Sequence, residues 1–180
     1  DIRQMVDEFS AFARMPSPII RTENLSNIAK HAVLLQRVAY PEIEFVLTKS
    51  DYSIEVACDF AQISQSLINL LKNSVEAIES NSLNADHKGI IRVSLDTKKG
   101  EHSITITDNG PGFPQEKMNR LTEPYVTTRD RGTGLGLAIV SKIMEDHGGT
   151  LSLSNEVKGG AVARLIFPEL KKVKLTDGGT

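Results

Sequence analysis

The stretch GTGLGLAIVSKIMEDHGG, residues 132–149, opens as a glycine-rich loop and closes on a glycine pair. Its apolar spacing predicts a helix from Leu135 to His147, which ends at Gly148-Gly149. The amides of such a loop, together with the positive end of the helix dipole, favour an anion at the helix start. A dinucleotide-binding loop is excluded because Thr127 to Arg131 are polar rather than a strand. A P-loop is excluded because no Gly-Lys-Ser/Thr follows.

Outward from this stretch, apolar spacing predicts the other elements of the chain. Predicted helices run from about Ser26 to Val38 and onward from Asp59, and predicted strands lie at Glu44–Thr48, Ile54–Ala57, Ile90–Asp96, Ser103–Thr107, Leu151–Ser154 and Ala161–Phe167. Asn109 to Thr133 form a long loop, which in a compact domain is usually functional or mobile. Helices and strands are partly segregated, which indicates an α+β two-layer sandwich: a mixed sheet of about five strands with about three helices on one face.

The opening residues predict a helix that belongs to a bundle or coiled coil. Apolar residues at spacings of three, four and three form an a/d seam: Ile2, Met5, Phe9 and Phe12. Met15-Pro16-Ser17-Pro18 then ends the helix. We interpret the chain as a dimerisation-helix remnant, a linker, a catalytic domain and a polar tail, at residues 1–16, 17–24, 25–168 and 169–180. The alternative is a helix packed on its own domain. So short a seam predicts a monomer or weak homodimer.

Composition restricts the class of protein. Of the 180 residues, 39% are hydrophobic and 24% are charged, with a net charge of -2. This balance argues against disorder and gives no reason to expect a nucleic-acid partner. Cys58 is the single cysteine, and its apolar neighbours predict a buried, unreactive thiol in a reducing compartment. No stretch approaches the roughly 20 apolar residues of a membrane helix, so we expect a cytoplasmic chain without membrane contact.

Two polar patterns have a defined place in the predicted elements, one on the long helix and one at the end of a strand. Asn69 and Asn73 are four residues apart, so they share one face of the long helix, and their amide oxygens suit a hard cation. The alternative is that both are simply solvated. Asp108-Asn109-Gly110-Pro111-Gly112-Phe113 follows a strand directly. Its carboxylate can accept a hydrogen bond from an adenine amino group, and Gly112 lets a base approach the backbone. The alternative is an ordinary Asx turn.

A third polar pattern is Glu123-Pro124-Tyr125-Val126-Thr127-Thr128-Arg129. Two hydroxyls beside a guanidinium suit phosphate oxygens, although a solvated loop looks similar. With the glycine-rich stretch, four patterns now follow one another along the chain. In this order they resemble the N, G1, F and G2 boxes of the GHKL superfamily, which joins histidine kinases, type II topoisomerases, Hsp90 chaperones and MutL proteins. The resemblance covers Leu25 to Pro168.

The resemblance implies an ATP and Mg²⁺ site. Asn73, helped by Asn69, would hold Mg²⁺, Asp108 would read adenine, and Arg129 would act with these asparagines in catalysis. The residues implied in nucleotide binding are Asn69, Asn73, Asp108, Gly110, Gly112, Thr127, Thr128, Arg129, Gly132, Thr133, Gly134, Leu135, Gly136 and Leu137.

Within the superfamily, Asp7-Glu8-Phe9-Ser10 and Phe12 to Pro16 resemble histidine kinases of the nitrogen-regulation NtrY type. ATP-hydrolysing members carry Glu where this chain has Asn69, and an amide cannot act as a general base. We therefore expect transfer of the γ-phosphoryl group to a histidine on a separate dimerisation module, with a response regulator as the further partner. The alternatives are a GHKL-type ATPase and a nucleotide-sensing module without transferase activity.

The histidines of the chain bear on the same prediction. None of them lies in the context of the family's phosphoacceptor: His31, His87, His102 and His147. The chain is therefore not expected to phosphorylate itself. His147 precedes the helix-ending glycines, where its charged form is expected to suit the helix dipole.

Overall fold

The computed structural model describes residues 6, 9–10, 13–48, 53–80, 88–98, 100–127 and 132–168. Within these residues the strands are β1 Arg21–Asn24, β2 Glu44–Thr48, β3 Glu55–Cys58, β4 Ile90–Lys98, β5 Glu101–Asp108, β6 Thr150–Asn155 and β7 Ala161–Pro168. The helices are α1 Leu25–Ala39, α2 Phe60–Ser80 and α3 Gly136–Asp146, with a short 3-10 helix at Gln115–Arg120. No helix in the described ranges is both long and apolar enough to cross a membrane.

The main sheet has five strands in the order β2-β4-β5-β7-β6. β2 runs parallel to β4, and the other neighbours are antiparallel. Alternate residues turn to the helical layer, so that Ile104 and Ile106 are buried while Arg164 reaches solvent beside Thr105. The predicted mixed sheet with helices on one face is confirmed.

α2 forms the centre of the helical layer because its apolar residues recur at helical spacing. The predicted apolar face is buried at five positions and half-buried at the sixth: Ile63, Leu67, Leu70, Leu71, Val75 and Ile78. α1 and α3 pack on either side of it. Burying this aliphatic surface is the main favourable term in folding such a domain.

A second, two-stranded sheet lies outside the main one, and it corrects the interpretation of residues 17–24 as linker alone. β1 pairs antiparallel with β3, from Arg21 opposite Cys58 to Asn24 opposite Glu55. Asn24 then caps α1, because its Oδ1 accepts a hydrogen bond from Ser26 N at 2.8 Å. The chain thus enters the domain along a strand.

Asp59 connects this entry to α2. Its Oδ2 accepts from Ile19 N at 2.8 Å, and its Oδ1 caps α2 by accepting from Ala61 N at 2.9 Å. His147, at the end of α3, accepts the Asp59 backbone N–H at Nε2 over 2.9 Å, while its Nδ1 lies 2.7 Å from Ile143 O. A backbone N–H only donates and a carbonyl only accepts, so in these two bonds Nε2 accepts and Nδ1 donates.

Cys58 is completely buried, as predicted, and burial together with nearby Glu23 and Asp59 raises the pKa of its thiol to about 12.

Of the predicted opening helix, the structure describes only a part. Phe9 is 46% exposed and stacks on Tyr125 with ring centroids 6.2 Å apart. The other seam residues, Ile2, Met5 and Phe12, lie outside the described residues, as does the polar tail.

Candidate functional site

One face of α2 brings together three of the four sequence motifs. Asn69, Asn73 and Ala77 follow one another at four-residue spacing, so they share this face. A β-carbon at Gly110 would lie 3.4 Å from the Ala77 β-carbon, and one at Gly136 would lie 3.8 Å from Asn73 Nδ2. The loop after β5 and the start of α3 therefore approach the same stretch of α2, one turn apart. Ala77 was not among the predicted site residues, although it is four residues beyond Asn73.

Asp108 ends β5 with its carboxylate almost completely buried, at 4% exposure. Its Oδ1 accepts hydrogen bonds from Gly110 N at 2.9 Å and from Ala161 N at 3.1 Å. Neither bond uses Oδ2, so the side chain is held in one orientation while that oxygen is left for a further donor. A fixed carboxylate acceptor of this kind suits an exocyclic amino group.

The turn between β6 and β7 forms a wall against Asp108. Gly160 has a φ of 103°, and a β-carbon there would lie 1.9 Å from the Asp108 carbonyl oxygen. Only glycine fits so close to the neighbouring backbone. Asn155, at the end of β6, bonds the backbone of Phe113 through both ends of its carboxamide. Asn155, Gly160 and Ala161 were missed in the sequence because nothing local marks them as neighbours of Asp108.

The long loop from Pro114 to Leu135, here called the lid, is closed by contact between its two arms. Tyr125 N donates to Gly134 O at 3.1 Å, and Tyr125 itself has a φ of 66°. Gly134 has a φ of 70°, and a β-carbon on it would lie 2.6 Å from the Tyr125 carbonyl carbon. Lys117 Nζ also donates to Thr127 O at 3.3 Å. The third and fourth motifs are thus brought together at Tyr125 and Gly134.

The start of α3 presents backbone rather than side chains. Leu135 is completely buried and Leu137 packs against the core, so at both positions only the backbone can face a ligand. Thr133 Oγ1 accepts from Leu135 N at 3.4 Å. The first amides of a helix lack acceptors within the helix, and they attract anions. Thr128 and Arg129 lie outside the described residues.

Comparison with known proteins gives two concordant results. The model of the family described as "Histidine kinase-, DNA gyrase B-, and HSP90-like ATPase" matches residues 58–171. The nitrogen regulation protein NtrY of Azorhizobium caulinodans is 47% identical over 182 aligned residues, which cover 100% of this chain and 24% of that protein. This chain therefore spans about a quarter of that relative's length.

A solved structure has the same fold. The catalytic domain of the histidine kinase ThkA, in a nucleotide-free form, superposes with a TM-score of 0.72 at 28% identity. The match covers 83% of this chain and 95% of that domain. The residues that the family model matches, 58–171, include the motifs around Asn73, Asp108 and Gly134.

Proposed function

Since the chain belongs to the family of histidine kinase-, DNA gyrase B- and HSP90-like ATPases, we propose that it is the ATP-binding catalytic part of a sensor histidine kinase. One observation carries the choice within the family. The face of α2 that meets the Asp108 loop and the start of α3 bears amides, Asn69 and Asn73, and no carboxylate at position 69. On this described face of α2, position 69 therefore offers no general base for water, while phosphoryl transfer to a histidine needs positioning above all.

The adenine end of the proposed site uses Asp108. Its Oδ2 would accept a hydrogen bond from the amino group of the base, since Oδ1 is already engaged by Gly110 and Ala161. Gly110 packs on Ala77 and Gly112 has a φ of 80°, so at these two positions no side chain stands where a base or ribose would approach. The buried acceptor and the small residues beside it fit an adenine nucleotide.

The phosphate end of the proposed site combines α2 with the lid. Asn73, helped by Asn69, would hold Mg²⁺ through amide oxygens, which belong to the oxygen ligands that this cation takes. Bound Mg²⁺ would supply charge neutralisation for the phosphates. Thr127, Thr128 and Arg129 would face the phosphate oxygens. The backbone amides that would receive them belong to Gly132, Thr133, Gly134, Leu135, Gly136 and Leu137.

In the whole protein, we propose that the acceptor histidine lies on a dimerisation helix preceding residues 1–16, with 17–24 as the connection to the catalytic domain. A response regulator would take the phosphoryl group from that histidine. The chain itself would be a cytoplasmic portion of the sensor. The short opening seam would leave the chain monomeric or weakly dimeric.

A radiolabel assay tests the proposal. Three samples are incubated with γ-labelled ATP and Mg²⁺: the chain alone, the chain with a polypeptide bearing the parent protein's acceptor helix, and the chain with that polypeptide carrying His→Ala. We expect label only on the intact acceptor polypeptide, at a slow rate because the covalent tether is missing. We also expect no useful release of labelled phosphate by the chain alone.

Each other outcome points elsewhere. Label on the chain itself or on the His→Ala polypeptide would contradict the mechanism. Steady phosphate release by the chain alone would indicate a GHKL-type ATPase. ATP binding without label anywhere would indicate a nucleotide-sensing module.

A further inference from the structure

Asn155 makes an unusually complete contact with the start of the lid. Its Oδ1 accepts from Phe113 N at 2.7 Å, and its Nδ2 donates to Phe113 O at 2.7 Å. One side chain thus satisfies both backbone groups of one residue, as a neighbouring strand would. Of the neutral side chains, only a carboxamide carries an acceptor and a donor side by side. The nucleotide contacts proposed above do not use it.

The position of Asn155 connects this contact to the adenine end of the site. In the β6–β7 ladder Asn155 lies opposite Ala161, whose N–H binds Asp108 Oδ1. A β-carbon at Gly112 would lie 2.8 Å from Asn155 Oδ1, so the loop backbone passes directly over the carboxamide. The loop from Asp108 to Phe113 is therefore fastened at one end by the carboxylate of Asp108 and at the other by Asn155.

Phe113 is also the point at which the lid leaves the sheet. Pro114 follows with no amide to donate, and the 3-10 helix begins at Gln115. The second arm of the lid returns through Gly134 to α3. Asn155 thus holds Phe113, the residue before the lid, at a fixed distance from the carboxylate that would read the base.

We propose that Asn155 is a positioning residue for the nucleotide: acting through the Phe113 backbone, it holds the Gly110–Gly112 loop in place beside Asp108. The inference rests on the proposed function, since it assigns a role within the same site. Asn155 touches neither the base nor the phosphates in this account, so its loss lowers nucleotide affinity without removing a ligand contact.

The test compares Asn155→Leu and Asn155→Ser with Ser154→Ala, an exposed position on the same strand. Leu loses both hydrogen bonds, whereas Ser keeps one polar group. We expect Mg-ATP affinity by calorimetry to fall about tenfold for Leu, less for Ser, and not for Ser154→Ala. Hydrogen exchange of the nucleotide-free protein should accelerate at Phe113 and through the following lid, while the amides paired between β6 and β7 stay protected.

The outcomes separate the inference from the proposed function. Equal Mg-ATP affinity in Asn155→Leu and the unchanged chain would overturn the inference alone. So would faster exchange spread evenly over the β6–β7 pair, because that pattern marks general destabilisation. Failure of the unchanged chain to bind Mg-ATP would overturn both. Weakened affinity with faster exchange confined to Phe113 and the residues that follow it, and partial rescue by Ser, would support the positioning role.

Discussion

The two ends of the site are built in different ways. At the adenine end, Asp108 is 4% exposed and two backbone N–H groups hold its Oδ1. At the phosphate end, Tyr125 is 50% exposed and one backbone hydrogen bond to Gly134 O joins the arms of the lid. The first end is held to the sheet through β5 and β7. The second is formed by loop, whose local opening costs far less than global unfolding.

This difference indicates that the adenine end would select the base, whereas the lid would respond to the phosphates. The acceptor that would select adenine is in place before any ligand arrives, so little ordering cost falls on the base. The groups that would face the phosphates belong to a long loop, and loops of this kind commonly order on ligand contacts. Changes at the adenine end should therefore affect all adenine nucleotides alike, and changes in the lid should depend on the phosphates present.

The largest effect is expected at Gly160, where the fold and the adenine end coincide. Gly160→Ala would drive a β-carbon into the Asp108 carbonyl oxygen, and we expect it to lower the free energy of unfolding by roughly 2–4 kcal/mol. Gly159→Ala is the matched control. Its φ of 95° is similar, but no atom lies within 4 Å of its β-carbon, so only strain of about 1–2 kcal/mol is expected. Urea denaturation measures both, and equal losses would show that the contact with Asp108 is unimportant.

The next largest effect is expected on recognition of the adenine base by Asp108. In Asp108→Asn the side-chain carbonyl oxygen would keep the bonds from Gly110 and Ala161. The amide NH₂ would then take the place of Oδ2, the atom proposed to accept from the base. A donor would then oppose the adenine amino group, and we expect affinity to fall by about 1–3 kcal/mol. Calorimetry should find the same loss for ATP and ADP. Asp96→Asn, on the exposed hairpin, should leave both affinities unchanged.

An unchanged affinity in Asp108→Asn would remove the adenine role of this carboxylate. A loss confined to ATP would also contradict the comparison, since it would mean that the sheet end senses phosphate.

A smaller and more selective effect is expected at Gly134, in the lid. Gly134→Ala would bring a β-carbon to 2.6 Å from the Tyr125 backbone and separate the lid arms. Because the lid can relax, we expect about 1 kcal/mol of lost ATP affinity, less for ADP, and a smaller loss of stability than in Gly160→Ala. Calorimetry and urea denaturation measure the two quantities. Equal losses for ATP and ADP, or a stability loss as large as that at Gly160, would show that the lid is part of the rigid fold.

Much of the fold could be predicted because apolar periodicity is a local property. The face of α2 and the strands β2, β4, β5 and β7 follow directly from it, with boundaries shifted by a few residues. β1 could not be predicted in this way. Its sequence Arg21-Thr22-Glu23-Asn24 has no apolar alternation, and it is a strand only because β3, more than thirty residues later, pairs with it.

The proposed site could be predicted only where its residues belong to local sequence motifs. Gly136 approaches Asn73, and Gly110 binds Asp108 and approaches Ala77 one helical turn further along α2. Asn155 could not be found, because a single polar residue at the end of a strand carries no signal until the fold places it beside Phe113. The partner of His147 could not be found for a similar reason: the Asp59 backbone N–H lies 88 residues away in the sequence.

The smallest effect expected concerns acid stability, and it contrasts two carboxylates with lowered pKa values outside the site. Burial tends to raise the pKa of Asp59, but hydrogen bonds from the Ile19, Gln62 and Ala61 backbone N–H groups outweigh it and lower the pKa. For Asp96 the hydrogen bond from exposed Lys98 is the main cause. A carboxylate with a lowered folded pKa stabilises the protein above its unfolded pKa, near 4, and this stabilisation is lost as pH falls through the folded value.

Asp59→Asn should therefore reduce the dependence of the unfolding free energy on pH below about 4, because the group that binds a proton on unfolding is gone. Asp96→Asn should reduce it less, and this smaller effect should vanish in roughly 1 M salt, which screens an exposed ion pair but not hydrogen bonds to backbone amides. Urea denaturation at a series of pH values, with and without salt, measures both. If salt removed the effect of Asp59 as well, its stabilisation would come from solvent-exposed charge, and its hydrogen bonds would not be what fastens Ile19 to the start of α2.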